Sequence, residues 1–354
     1  MNASSSSMTP RDIVLAQIHH RQTDLIPFSI SFEGDVATRL DAYYGSQDWR
    51  ADVNPYFEFG SAVDTDRKYP TDRPGYVTDP YGSLWNVTRL PWHLEKTPLQ
   101  DADSLEDALK TYTVPAAEQF FLAEDEIAAN RARLERARDK FRVGGCGWGL
   151  FERSWTIRGF ENALLDMIAE PEAYCELLDR LVDLYIGLIR KTAELPIDGI
   201  LFGDDWGEQR GVIMGAERWR EIFKPRWARL FEETHRNGLV AMCHSCGSVA
   251  DIVPDLAEIG LDVLESCQPE AAGMDPLRLK ALYGDIMTFW GTLGTQFTIP
   301  FGTPDGIRAE IRRLADNMAT GGGFLLAPAK PLPPETPTEN AVAVVEAFKD
   351  LLHR

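Results

Sequence analysis

"GLVAMCHSC" (residues 238–246) is the stretch whose reading decides the fold. An apolar run begins after a glycine, stops at His-x-Cys, and passes through Gly247 into "SVADIVPDLAEIG", where Val249, Ile252, Val253, Leu256 and Ile259 repeat at helical spacing. Pro254 leaves the first turn of that helix short or kinked. A strand that stops at reactive side chains and runs into a helix is the repeating unit of a parallel α/β fold.

The same pattern recurs along the chain. "RVGGCGW" (142–148), "GILFGDD" (199–205), "LDVLES" (261–266), "DIMTFWG" (285–291) and "GFLLAPA" (323–329) all read as strands, and "IPFSISF" (26–32) precedes them. "GYVTDPYGSLWNVT" (75–88) reads as an eighth strand or as a hairpin. The intervening helices are well punctuated. Thr303 caps a helix that Pro304 opens, Ile307, Ile311, Leu314 and Met318 share one face, and Gly321–Gly323 ends it. "AERWREIFKPRWARLFEETHRNG" reads as two helical pieces, the second opened by Pro225.

Eight strands alternating with helices predict an α/β fold of the (β/α)8 TIM-barrel class. No Gly-x-Gly-x-x-Gly turn follows a strand, so nothing supports a dinucleotide-binding sheet. Residues 1–10 read as a disordered start and 11–354 as a single barrel domain, with an excursion around 35–140 that fits the alternation poorly.

Composition narrows the function classes. A formal charge of −19 argues against nucleic acid, whose phosphates need clustered Lys and Arg. No apolar run approaches the roughly 20 residues of a membrane span. Five unevenly placed cysteines suggest reduced thiols and a cytoplasmic protein rather than a disulfide framework.

In a barrel, chemistry gathers where the strands end. Those ends offer Glu33, Trp148, Asp204 with Asp205, His244 with Cys246, Glu265 with Cys267 and Gln268, Trp290, and Lys330. Strand residues two apart share a face at roughly 6–7 Å, so His244 and Cys246 both reach one ion bound at about 2.0–2.3 Å. Cys243 turns the other way, into the core. Adjacent strand residues face opposite sides, so only one of Asp204 and Asp205 is expected to enter the mouth. Either would serve as general base or orient His244. Cys267 is either the residue that completes a metal set with His244 and Cys246 or a buried, inert thiol. Glu33, Trp148, Gln209, Gln268 and Trp290 are the candidate substrate contacts, the tryptophans as flat apolar walls.

At these residues the sequence resembles the uroporphyrinogen decarboxylase superfamily, in particular its corrinoid-linked methyltransferase branch. The resemblance runs from "LIPFSISFEGDVATRLDAYYG" to the C-terminal helix. It is most specific in "GDDWGEQRG", "HSCGSVADIVPDLAEIGLDVLESCQPE", "FWGTLGTQFTIPFGTP" and "GGGFLLAPAKPLPPETPTENAVAVVEAF". It implies a (β/α)8 barrel and a homodimer. It also implies zinc held by His244, Cys246 and a third cysteine, and methyl transfer between a small methylated compound or thiol and a corrinoid (cobalamin) protein.

The third ligand is expected in the "APAK" turn, where this chain carries Lys330. An ammonium cannot ligate and its charge opposes a cation. A metal here must therefore recruit Cys267, Glu265 or an aspartate of "GDDWG". The alternative is a metal-free decarboxylase or lyase in which Lys330 holds a carboxylate or moves a proton. The segment "PFSISFEGD", acidic where the decarboxylases are arginine-rich, counts against a porphyrinogen substrate.

Overall fold

A computed structural model describes residues 8–353. Eleven strands are found among them: β1 (Phe57–Phe59), β2 (Tyr69–Pro70), β3 (Tyr76–Thr78), β4 (Leu84–Asn86), β5 (His93–Lys96), β6 (Phe141–Trp148), β7 (Gly199–Gly203), β8 (Val240–His244), β9 (Val263–Ser266), β10 (Thr288–Leu293) and β11 (Phe324–Pro328). Seven form one parallel sheet in the order β1-β6-β7-β8-β9-β10-β11, and β2–β5 form a separate antiparallel sheet.

Six of the strands expected from sequence, β6 to β11, lie in the main sheet in chain order. Their near-continuous apolar runs suit strands buried on both faces, and all residues of β10 and β11 are buried. The helices match the expected punctuation: Thr303 Oγ1 accepts from Gly306 N at 3.2 Å. Ile307, Ile311, Leu314 and Met318 are fully buried. The "AERW" stretch divides into helices 216–222 and 224–236.

The N-terminal part differs from expectation in three ways. Residues 26–32 form no regular strand and meet the sheet only through bridges Phe28–Leu326 and Phe32–Leu332. Pro27 has no N–H to give a ladder, and Ile30 turns its backbone to Val53 O and the Asn54 amide instead. A regular eight-stranded barrel is therefore replaced by seven strands with this segment beside β11. Secondly, residues 75–88 are a hairpin outside the main sheet, its turn held by Asp79, which accepts from Tyr81 N, Ser83 N and Trp85 Nε1. Thirdly, the strand that pairs with β6 on the side away from β7 is β1, a three-residue parallel strand inside the supposed excursion. Of the expected disordered start, residues 1–7 lie outside the described residues, while Thr9 caps a helix that begins at Pro10.

The opposite end of the sheet is closed by ion pairs. Asp198, just before β7, accepts from Arg11 Nε at 2.9 Å and from the Arg142 backbone N, Nε and Nη2 at 2.9–3.0 Å. Burial alone would raise its pKa, yet these bonds and charges hold it below the ordinary aspartate value. Because the folded pKa is depressed, this stabilisation is present above the unfolded pKa and is lost as pH falls through the folded one. Asp198→Ala is expected to cost about 3 kcal/mol at pH 7, by leaving Arg142 underpaired. It should cost progressively less below about pH 4. Denaturant melts at the two pH values check this.

Candidate active site

Register places the strand ends in one row. Trp148 pairs with Gly203, Gly203 with His244, His244 with Glu265, and Glu265 with Trp290. Neighbouring strands lie about 4.8 Å apart, so His244 and Glu265 meet side by side although 21 residues separate them. The His244 Nδ1 and Glu265 Oε2 atoms form a short hydrogen bond. This leaves Nε2 facing forward, 3.1 Å from Cys246 Sγ and 3.5 Å from Asp205 Oδ1. Burial works against a charge on His244. The Glu265 carboxylate and the bonds to Cys246 and Glu265 outweigh it and hold the imidazole well above its ordinary pKa.

Asp205 reaches this group because two loops cross backbone to backbone. A Cβ on Gly247 would sit 2.5 Å from Gly207 C, and one on Gly207 would sit 2.5 Å from Cys246 O. Only glycine fits either position, and Gly247 also has φ +74°. The crossing lets Asp205 Oδ1 accept from Cys246 N at 2.7 Å, which fixes the cysteine beside the histidine.

The paired acids divide their work. Asp204 is fully buried and accepts from Phe151 N, Glu152 N and Trp206 Nε1 at 2.7–3.0 Å, and from Trp227 Nε1 at 3.3 Å. It caps helix 150–158 and points away from the mouth. Burial pushes its pKa up to about 7, against the pull of those donors. Glu152 is a buried acid that the sequence reading passed over. Burial and the charges of Asp204 and Asp205 push it up to about 8. Its signal was an acid among the apolar residues of "GLFERSW", immediately after a strand end.

The other candidates separate clearly. Cys267 does not join the histidine: it is fully buried at φ +45° and donates to Leu264 O. Among the described residues, Asp205, His244 and Cys246 are the group whose donor atoms lie within 4.8 Å of one another. Glu33 is tied by its backbone N to Leu332 O and lines neither cavity of the mouth. Trp206 packs edge-on against Trp219 and Trp227 in the core.

Trp148, Trp290, His244, Glu265 and Lys330 border a cavity of about 510 Å³. Trp290 is stacked on Phe57 at 4.8 Å and donates to Ser29 Oγ. Trp148 meets Trp85 of the antiparallel sheet at 5.9 Å, so the excursion supplies support for this wall. Gln209, Cys246, Gln268 and Lys330 border a second, smaller cavity of about 220 Å³. The His244–Cys246 pair thus stands between two chambers, and Lys330 edges both.

Three donors of different type suit zinc. A tetrahedral ion with ligands near 2.1 Å holds its donors roughly 3.4 Å apart, close to the His–Cys and His–Asp separations of 3.1 and 3.5 Å. A carboxylate on the far nitrogen of a ligating histidine is the usual outer support. The residues present therefore fit the ion, Asp205 offering an oxygen donor where Lys330 offers none.

Comparison with known proteins bears on the same region. Among the curated relatives, uroporphyrinogen decarboxylase from Syntrophotalea carbinolica is 28% identical over 192 residues, covering 53% of this chain and 50% of the relative. Methylcobamide:CoM methyltransferase MtaA from Methanosarcina barkeri is 27% identical over 180 residues, covering 51% and 50%. This chain thus matches about half the length of these relatives. Among solved structures, a methyltransferase from Methanosarcina mazei has a TM-score of 0.71 at 19% identity, covering 98% of this chain and 100% of that one. That likeness extends the shared fold to the N-terminal part as well. The sequence profile described as Uroporphyrinogen decarboxylase (URO-D) matches residues 145–351, the span that holds every member of the His244 group, and the chain belongs to that family.

Proposed function

We propose that this protein is a methyltransferase, moving a methyl group between a small methylated compound or thiol and a corrinoid protein, with zinc held by Asp205, His244 and Cys246. The observation that carries the reading is the N, S and O donor set beside an apolar chamber. Zinc, when bound, lowers the pKa of a thiol so that it is present as the more nucleophilic thiolate at neutral pH. Glu265 holds His244 in one tautomer and orientation. Asp205 positions Cys246 through its backbone N–H. Trp148, Trp290 and Phe59 line the larger chamber and exclude water from a methyl group lodged there.

The test uses free methylcobalamin and a small thiol. Transfer breaks the cobalt–carbon bond and forms a carbon–sulfur bond, releasing cob(I)alamin and the thiol proton. Zinc-loaded protein is expected to produce cob(I)alamin and methyl thioether together, and chelator-treated protein to produce neither. Thioether formation unaffected by zinc removal would overturn the metal part.

Lys330 favours a second reading. An exposed ammonium with no ion-pair partner among the described residues edges an apolar chamber, an arrangement that would hold the carboxylate of a small acid undergoing decarboxylation. Carbon dioxide release from small aromatic or pyrrolic acids, lost in Lys330→Met, would support it over methyl transfer.

A further inference from the structure

Six glycines lie within the strands of the main sheet: Gly144, Gly145 and Gly147 in β6, Gly199 and Gly203 in β7, and Gly291 in β10. Glycine weakens a strand, so each position needs a physical reason. Four of them have one. A Cβ on Gly144 would sit 2.6 Å from Thr192 Cγ2, and one on Gly199 would sit 3.0 Å from Val240 O. Gly147 and Gly291 have φ of +65° and +123°. Gly145 and Gly203 have neither a left-handed backbone nor a crowding neighbour. A Cβ on Gly145 would meet nothing within 4 Å, and one on Gly203 would meet only Gly147 O, at an ordinary 3.6 Å.

These two glycines both line the larger chamber. Gly203 is paired with Trp148 on one side and with His244 on the other. Two strand spacings set Trp148 and His244 roughly 10 Å apart, backbone to backbone, and Gly203 puts no side chain between them. Gly145 pairs with Leu201, two residues before Gly203 on its strand, so the bare floor continues deeper into the same chamber. Trp290, which lies flat on Phe57 at 4.8 Å, and Phe59 complete the aromatic lining.

We propose that the larger chamber takes an aromatic ring, laid over Gly203 against the Trp148 indole, with Gly145 leaving room for its far edge. Backbone without side chains lets a flat group approach closely, and indole walls favour a planar π-system beyond the area it buries. An apolar cavity of about 150 Å³ already holds benzene, so about 510 Å³ admits a ring carrying substituents. A two-carbon thiol leaves most of that volume unfilled. The inference rests on the proposed function only in taking the ring as the body of the methylated compound or thiol. Gly203 then places the ring's substituent beside His244.

Calorimetric titration of the zinc-loaded full chain with two matched pairs tests this without turnover. The pairs are methoxybenzene with methoxycyclohexane, and phenylmethanethiol with cyclohexylmethanethiol. The flat ring is expected to bind about fivefold or more tightly than the puckered one in at least one pair. A preference in the ether pair supports a ring on the methylated compound, and one in the thiol pair supports a ring on the thiol. Gly145→Val adds a side chain that strands favour and that has room in the chamber, so melting temperature and zinc content should be unchanged. Its affinity for the preferred ring compound should fall about tenfold or more, and Gly145→Ala should show a smaller loss in the same direction. Equal affinity within both pairs overturns the inference, and so does a folded Gly145→Val that binds the ring as the parent does. If the valine variant does not fold, Gly145→Ala and the parent chain's two pairs decide in the same terms. Methyl transfer to 2-mercaptoethanol without any ring preference overturns this inference and leaves the proposed function standing. Ring preference in a protein that transfers no methyl group retains it and counts against the proposed function alone.

Discussion

Replacing His244 with alanine is expected to lower zinc affinity by at least about 100-fold and to abolish methyl transfer, with the protein still folded. In the proposed zinc site the residue supplies the nitrogen donor, and Cys246 Sγ and Asp205 Oδ1 lie 3.1 and 3.5 Å from its Nε2. Glu265→Gln tests the layer behind it. That variant keeps a hydrogen-bonding side chain next to Nδ1 but removes the carboxylate's charge, and a loss of about 10–100-fold in metal affinity is expected. Competition with a chromophoric chelator, together with elemental analysis, reads both. Full zinc content in His244→Ala would remove the histidine from the metal set. Equal affinity in Glu265→Gln would reduce the short His244–Glu265 contact to a packing feature.

Neighbouring aspartates should give opposite results. Asp204→Ala strips a buried carboxylate from three close donors and one longer one, leaving two backbone N–H groups of helix 150–158 and two tryptophan indoles unpaired. The expected cost is about 3–5 kcal/mol of stability. Asp205→Ala removes a side chain that is 40% exposed and one bond to Cys246 N. Its cost to stability should stay near 1 kcal/mol, while zinc affinity and methyl transfer collapse. Thermal melts and metal titrations of the two variants side by side separate capping from ligation. Similar destabilisation in both would refute the division.

Much of the candidate site was legible in the strand ends, because an apolar run that stops at His-x-Cys or Asp-Asp marks the open end of a parallel strand. Trp148, His244, Glu265 and Trp290 fall in one row for that reason. Of the two readings of Cys267, the buried thiol is the one the fold gives: one residue past the end of β9, a backbone at positive φ turns the side chain inward, and no local pattern announces that turn. Glu33 was misjudged for a related reason: residues 26–32 meet the sheet through bridges alone, so alternation along the segment does not aim its last side chain. β1 escaped notice because three residues carry too little periodicity to stand out from the turns around them.

Local sequence was enough for the strand–helix alternation from β6 onward, the helix boundaries, and the pairing of His244 with Cys246. These depend on short-range patterns: apolar runs, caps and spacing along one strand. Which aspartate lies beside His244 and Cys246, and which carboxylate stands behind His244, were decided by tertiary contacts alone. Each depends on strand register and on two glycine loops passing within van der Waals contact, and both arise between segments some 20 to 40 residues apart in the chain.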